Sequence, residues 1–265
     1  SSVTSLGNYC FSSCYRLISI TIPSSVTSLG IFCFSGCTGL ASITIPSSVT
    51  SLGDECFGSC INLTTLIIPS SVTSLGNSCF YWCYRLTSIT IPSSVTSLGD
   101  YCFWKCSGLT SITLPSSINS LGNNFFDSCS NLASITIPSS VTSLGSNCFS
   151  GCSKLTSIIC YANTPPICQS VSEGLCILYV PQASIDQYKA ADGWKSFPYI
   201  LAIEGSEPGG DSTKCNVPSI TFIDGKLHFS STTQGVEYHY TITDKDIASN
   251  NYSQSGEVAL SATYE

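Results

Sequence analysis

A 23-residue block, Ser-Ser-Val-Thr-Ser-Leu-Gly followed by Cys-Phe-x-x-Cys-x-x-Leu-x-x-Ile-x-Ile-Pro, recurs seven times between Ser1 and Tyr161. One block is too small to offset the entropy of ordering itself, so its apolar face must be covered by its neighbours. A fixed period of ~20–29 residues with aliphatic side chains at constant offsets is met by a solenoid of stacked coils. At the ~4.8 Å spacing of paired strands, seven coils form a rod on the order of 34 Å long.

The first coil shows what each column does. Ile20 and Ile22 alternate with Ser19 and Thr21, which predicts a half-buried strand closed by Pro23. Val3 and Leu6 line a second, shorter extended piece that ends at Gly7. Between the two, Cys10, Phe11, Cys14 and Leu17 fall at i, i+1, i+4 and i+7, a spacing that predicts one or two helical turns with a single inward face.

These residues, Cys10-Phe11-x-x-Cys14-x-x-Leu17-x-x-Ile20-x-Ile22-Pro23-x-x-Val26 and their copies, resemble the BspA-type leucine-rich repeats of bacterial and some protozoal surface proteins. The resemblance implies a β-rich α/β solenoid, a leucine-rich-repeat right-handed superhelix with short helical turns. One column departs from that pattern, because Cys10, Cys33, Cys56, Cys79, Cys102 and Cys148 stand where Ala is usual, with Phe125 in the sixth coil. The Asn common in other leucine-rich repeats is also missing. Ser25 and its equivalents take its place, so a side-chain ladder closing that turn must be built from hydroxyls.

Charge narrows the range of partners. Residues 1–161 carry four basic side chains (Arg16, Arg85, Lys105, Lys154) and four acidic ones (Asp54, Glu55, Asp100, Asp127), so the repeats are neutral. The other residues hold five basic and twelve acidic side chains, and the whole net charge of −7 lies there. No basic stripe exists for phosphate binding, which disfavours nucleic acid. No apolar run approaches the ~18 residues of a membrane span, and no basic-then-apolar leader precedes Ser1. A start inside a repeat and the absence of Met read as a fragment, with any export signal upstream.

Thirteen of the seventeen cysteines occupy two repeat columns, the others being Cys160, Cys168, Cys176 and Cys215. Metal binding would need a distinct outer ligand set, and the identical four-residue pairs pointing into a core do not offer one. Disulfides between coils fit the ~4.4–6.8 Å Cα window, but the total is odd. The favoured reading is Cys as a small buried hydrophobe, inert because apolar surroundings raise its pKa. His228 and His239 lie outside the repeats on strand-like segments, so no Ser/His/Asp or Cys/His set can be assembled. Neither a phosphate loop nor a nucleophile elbow is present. Asp54 and Glu55 form the sole adjacent carboxylate pair in the repeats and fit a solvated turn.

Comparing the seven copies shows which columns vary. The strand faces barely do: Ser19, Ser42, Thr65, Ser88, Ser111, Ser134 and Ser157 form one column, and Thr21, Thr44, Thr90, Thr113 and Thr136 dominate another. The hydroxyl surface suits β-propensity and solubility, or weak docking of a repetitive ligand. Variation concentrates beside the Cys-Phe-x-x-Cys turn, where coils four and five carry Tyr81, Trp82, Tyr84, Arg85, Tyr101, Trp104 and Lys105 in place of mostly Ser, Gly or Asn. With the inward slots filled, these seven should be exposed on a ridge. They form either a binding patch or rings packed flat to shield the turns.

The regular copies stop at Cys160-Tyr161, and residues 162–203 have the Thr-Pro-Pro, Tyr-Val-Pro and Tyr-Lys-Ala-Ala-Asp-Gly-Trp order of the terminal cap in many BspA-type arrays. Within it, Ile177 to Val180 predicts one more strand. Ser184 and Gln187 predict a capping box, and Ile185, Tyr188 and Trp194 share a side of a helix stopped at Gly193. A Gly/Pro/Ser-rich linker spans 204–214. Residues 215–265 alternate as Ile220/Phe222, Leu227/Phe229, Val236/Tyr238/Tyr240/Ile242 and Val258/Leu260, with Asp224-Gly225 as a hairpin signal. They resemble the start of immunoglobulin-like modules on Bacteroidetes surface proteins. A sandwich needs roughly seven strands, so the chain is expected to continue past Glu265.

Function read this way is a non-enzymatic, exported recognition or adhesion protein that binds an extracellular protein, without cofactor or metal. The alternative is glycan capture, with Trp82, Trp104 and Tyr84 stacking on sugar rings.

Overall fold

The computed structural model describes residues 2–169, 171 and 176–203, together with strand residues 219–223, 226–230, 239–242 and 260–263. The chain divides into two compact units, Ser1–Pro208 and Gly209–Glu265.

In the first unit the repeats stack in register, residue i beside residue i+23. Short strands at Ser5–Leu6, Ser28–Leu29, Ser51–Leu52, Ser74–Leu75 and Ser97–Leu98 form one parallel sheet, and Ser120–Leu121 pairs with Ser143–Leu144 in the same register. The Ser-Ile-Thr segments form the longer strands, with Ser42–Thr44 beside Thr65–Ile67, Ser88–Thr90 beside Ser111–Thr113, and Ser134–Ile137 beside Ser157–Cys160. Alternation sends Ile43 and Ile89 inward and leaves their Ser and Thr neighbours in water. Proline then turns the chain: the Pro46 carbonyl accepts from Val49 N–H at 3.0 Å, and Pro23, Pro69 and Pro92 do the same.

The Cys-Phe-x-x-Cys segment is not helical, contrary to the spacing. Its ninth and thirteenth residues adopt left-handed φ, as at Tyr9 (59°), Phe32 (55°), Glu55 (53°) and Tyr101 (58°), and at Ser13 (58°), Gly36 (72°), Trp82 (59°) and Lys105 (58°). These residues break the helical ladder each time it begins. Alternate N–H groups bond back three residues, as Cys33 to Gly30 and Cys37 to Phe34. Those between reach the next coil, as Phe32 to Asp54 and Phe34 to Cys56 at 2.8 Å. An inward face every three or four residues thus arises from chained turns instead of a helix.

Three side-chain ladders tie coil to coil. Ser25, Ser48, Ser71, Ser94 and Ser117 each donate from Oγ to the carbonyl of Val3, Val26, Val49, Val72 and Val95 at 2.5–2.7 Å, the hydroxyl ladder expected in place of Asn. Asp and Asn at the eighth position accept from the next coil's backbone, as Asp54 Oδ1 does from Asn77 N–H at 2.7 Å. Phe11, Phe34, Phe57, Phe80 and Phe103 stack at centroid distances of 5.3–5.7 Å. Backbones approach so closely at the seventh position that a Cβ on Gly76 would lie 2.5 Å from Asp54 N. That approach is why the column is glycine.

Strands Ile177–Val180 and Tyr199–Ala202 continue the long sheet in parallel past Ser157–Cys160. Between these two strands runs a helix at Ile185–Ala190; Tyr188 within it and Trp194 after it are fully buried. The capping box is absent, since Ser184 makes no side-chain cap and is itself buried, and the helix ends before Gly193 at Ala191. Tyr188 is fixed from below by donating to the Ala162 carbonyl at 2.8 Å, and Trp194 Nε1 donates to Pro166 at 2.7 Å.

Among the described residues of the second unit, Ser219–Ile223 pairs antiparallel with Lys226–Ser230, and His239–Ile242 with Leu260–Thr263. Ile220, Phe222, Leu227, Phe229, Tyr240, Ile242 and Leu260 fall within them. The Asp224-Gly225 signal, Val236, Tyr238 and Val258 lie outside the described residues.

Candidate aromatic recognition site

The chained turn sets the site, because its ninth, twelfth, thirteenth, fifteenth and sixteenth positions point away from the core. In coils four and five those positions hold large side chains, and register brings them together. Tyr81 stacks on Trp104 (6.4 Å, 20°) and Trp82 on Tyr84 (6.1 Å, 21°), while Tyr101 meets Trp104 edge-on at 5.9 Å. Lys105 Nζ lies over both indoles, 5.1 Å from the centre of the Trp82 ring and 4.7 Å from that of the Trp104 ring. Gly58, one coil earlier, makes room: a Cβ there would fall 2.1 Å from the Tyr81 ring.

Six of the seven sequence-selected residues are therefore in mutual contact, and Arg85 stands exposed beside Tyr84. Full exposure does not hold for all of them. Tyr81, Trp82, Trp104 and Lys105 are half-buried by one another, whereas Tyr84 (41%) and Tyr101 (39%) present their rings to solvent. Trp82 Nε1 is covered and lacks a hydrogen-bond partner among the described residues. Trp82 and Lys105 also occupy left-handed positions that Gly36 and Gly151 fill elsewhere, so bulk is carried there at a conformational cost.

The cysteines do something the spacing did not reveal. Cys37, Cys60, Cys83, Cys106, Cys129 and Cys152 each donate from Sγ to the carbonyl of Phe11, Phe34, Phe57, Phe80, Phe103 and Phe126 at 3.0–3.2 Å, 26 residues away. Each carbonyl also accepts a backbone N–H from its own turn, as Phe34 does from Cys37 at 3.1 Å. Among the described residues all sixteen thiols are free, and no cluster of three or more His, Cys, Asp or Glu can hold a metal. Burial, with a smaller contribution from neighbouring thiols, pushes Cys33 up to about 12 and Cys37 to about 11, and it raises Cys56, Cys83 and Cys106 well above the ordinary value. Such thiols supply neither a nucleophile nor a ligand.

The hydroxyl face changes character along its length, another feature missed from sequence. Ile67 stands 82% exposed among the threonines. From the coil-seven strand onward the outward positions become Ile159, Ile177, Tyr179, Tyr199 and Leu201, adjacent in register across three strands. On the short-strand side, a shallow groove of about 440 Å³ is lined by Ser51, Gly53, Asp54, Ser74, Asn77 and Ser97. Among the described residues, no helix is long and apolar enough to cross a membrane.

With stacked coils and ladders in view, the comparison with known families is direct. The model of the BspA type leucine rich repeat region matches residues 4–107 and 73–180, in six copies. The chain belongs to the BspA-type leucine-rich repeat family. A leucine-rich repeat protein from Treponema pallidum is 29% identical, with a TM-score of 0.54 over 58% of this chain and 72% of that one. A leucine-rich repeat protein from Bacteroides ovatus is 24% identical, with a TM-score of 0.55 over 76% of this chain, which spans 64% of that structure. No curated protein matches this chain. BspA-type coils therefore account for the solenoid, a repeat scaffold of the kind that presents binding surfaces. The ridge side chains stand at variable outward positions of these regular coils.

Proposed function

We infer that this BspA-type protein is a cell-surface recognition or adhesion scaffold, which binds an extracellular protein through the ridge of coils four and five. The observation that carries this reading is the cluster itself. Tyr84, Tyr101 and Arg85 stand in water over a packed base of Tyr81, Trp82, Trp104 and Lys105. Exposed Tyr and Arg over a base that includes two half-buried Trp have the composition of interface hot spots, and a base already packed in place lowers the ordering cost of binding. Surface location rests on the family resemblance.

Ring geometry favours protein over glycan. Sugar stacking needs free indole faces, and both indoles already have rings and the Lys105 ammonium within stacking range. The test is capture from extracellular-matrix and mucosal extracts by the immobilised intact protein, beside a Trp82→Ala/Trp104→Ala variant. Proteins retained by the first and lost by the second support the reading; identical capture by both refutes it.

A further inference from the structure

Among the described residues, the ridge carries two cations, Arg85 and Lys105, that no carboxylate neutralises. Among the described residues the one ion pair is Lys195–Asp192, far along in the cap. Each acid of the repeats is otherwise engaged: Asp54 accepts from Asn77 N–H at 2.7 Å, and Asp100 accepts from Asn123 through N–H at 2.8 Å and Nδ2 at 3.2 Å. Asp127 accepts from Ser128 Oγ at 2.7 Å, and Glu55 lies beside the Tyr81 hydroxyl.

Charge is also sorted by column. Arg16, Arg85 and Lys154 share the sixteenth position and Lys105 takes the thirteenth, while the acids sit at the eighth, ninth and twelfth. In coil seven Lys154 Nζ is occupied by Asn131 Oδ1 at 2.8 Å. Lys105 differs, being half-buried with its ammonium over both the Trp82 and Trp104 rings and, among the described residues, no oxygen acceptor for it. A cation partly withdrawn from water gains more from an anion than an exposed one does.

Resting on the ridge as the recognition site, we propose that its partner presents a short acidic segment of protein. One carboxylate is held between the Arg85 guanidinium and the Lys105 ammonium, and neighbouring apolar side chains lie against Tyr84 and Tyr101. Glu55 in coil three and Asp127 in coil six flank the site, so a longer acidic run meets like charge at either end. The segment is thus confined to the two coil spacings, ~10 Å, of coils four and five.

The probe is a fluorescein-labelled random copolymer of glutamate and tyrosine, titrated with the whole chain and read by anisotropy. A lysine–tyrosine copolymer and heparin are the parallel arms. Binding of the acidic copolymer is expected to fall about tenfold as NaCl rises from roughly 50 to 300 mM. It should fall at least about tenfold in Arg85→Gln/Lys105→Gln with an unchanged melting temperature, and be retained in Lys105→Arg. Equal binding of the basic copolymer, binding of heparin alone, or indifference to the double substitution overturns the proposal. If Arg85→Gln/Lys105→Gln still captures matrix proteins that Trp82→Ala/Trp104→Ala loses, the ridge stands as the site and its acidic partner does not.

Discussion

Cys83 Sγ donates to the Phe57 carbonyl oxygen at 3.2 Å, one link of a thiol ladder that runs from coil two to coil seven. The same carbonyl also accepts from Cys60 N–H at 3.2 Å, so removing the thiol leaves it bonded. Cys83→Ala should therefore cost about 1–2 kcal/mol, chiefly for the lost volume and a weak hydrogen bond. Cys83→Ser, whose hydroxyl finds the carbonyl waiting, should cost less. At Cys79, in the apolar column, the order should reverse. Urea midpoints of the four variants check both orders, and the same order at both positions would remove the ladder as an explanation.

The fold's columns were legible because a repeat reports its own core: the same offsets stay apolar in every copy, and Cys33, Phe34, Cys37 and Leu40 are all fully buried. The chained turns were not, because an inward face at i, i+1, i+4 and i+7 looks the same for a helix and for stacked turns. The left-handed positions are moreover filled by residues such as Tyr9, Phe32 and Glu55, which do not advertise positive φ. The thiol ladder joins groups 26 residues apart, beyond any local spacing. For the ridge, column variation gave the membership. Its half-burial depends on Gly58 and on cross-coil stacking, which only the register reveals.

Alkaline pH should unfold the solenoid. Folded thiols keep their protons up to about 11 at Cys37 and about 12 at Cys33 and Cys152, whereas unfolded ones ionise near the ordinary 9.0. The folded state thus binds the proton more tightly. Its advantage is whole below pH 9 and drains as pH rises toward 12. Melting temperatures between pH 7 and 11 should be flat to about 9 and then fall. At pH 8, native thiol titration should find no more than Cys10, Cys14, Cys168 and Cys215 among the seventeen cysteines, the first three being exposed or half-exposed. Rapid reaction of most of them contradicts the burial.

Gly76→Ala tests how closely the coils approach. Its Cβ would sit 2.5 Å from Asp54 N and 2.6 Å from Gly53 C, both backbone atoms that cannot yield without separating the coils. A loss of about 1–3 kcal/mol or more is expected. Gly7→Ala, whose Cβ meets nothing within 4 Å, should be nearly neutral. Equal effects at the two positions, measured by chemical denaturation, would contradict the stacking.

Tyr188→Phe should loosen the cap. The hydroxyl is buried, donating to Ala162 O at 2.8 Å and lying 3.2 Å from Cys160 Sγ, and its loss leaves the Ala162 carbonyl without that donor. A cost of about 1–3 kcal/mol is expected, with faster amide exchange in Ile177–Val180 and Tyr199–Ala202 before the early coils change. Uniform acceleration along the whole solenoid would show that the cap is not a separate layer of stability.

The most direct measurement sets the two outer faces of the rod against each other with whichever matrix or mucosal protein the intact chain captures. Dissociation constants are compared for the native chain, for Trp82→Ala/Trp104→Ala on the ridge, and for Thr90→Ala/Thr113→Ala on the hydroxyl face. Recognition by the ridge requires at least about a tenfold loss in the first variant, unchanged binding in the second and cooperative melting in both. Full affinity in the ridge variant, with the loss confined to the threonine variant, would place recognition on the opposite face and contradict the assignment.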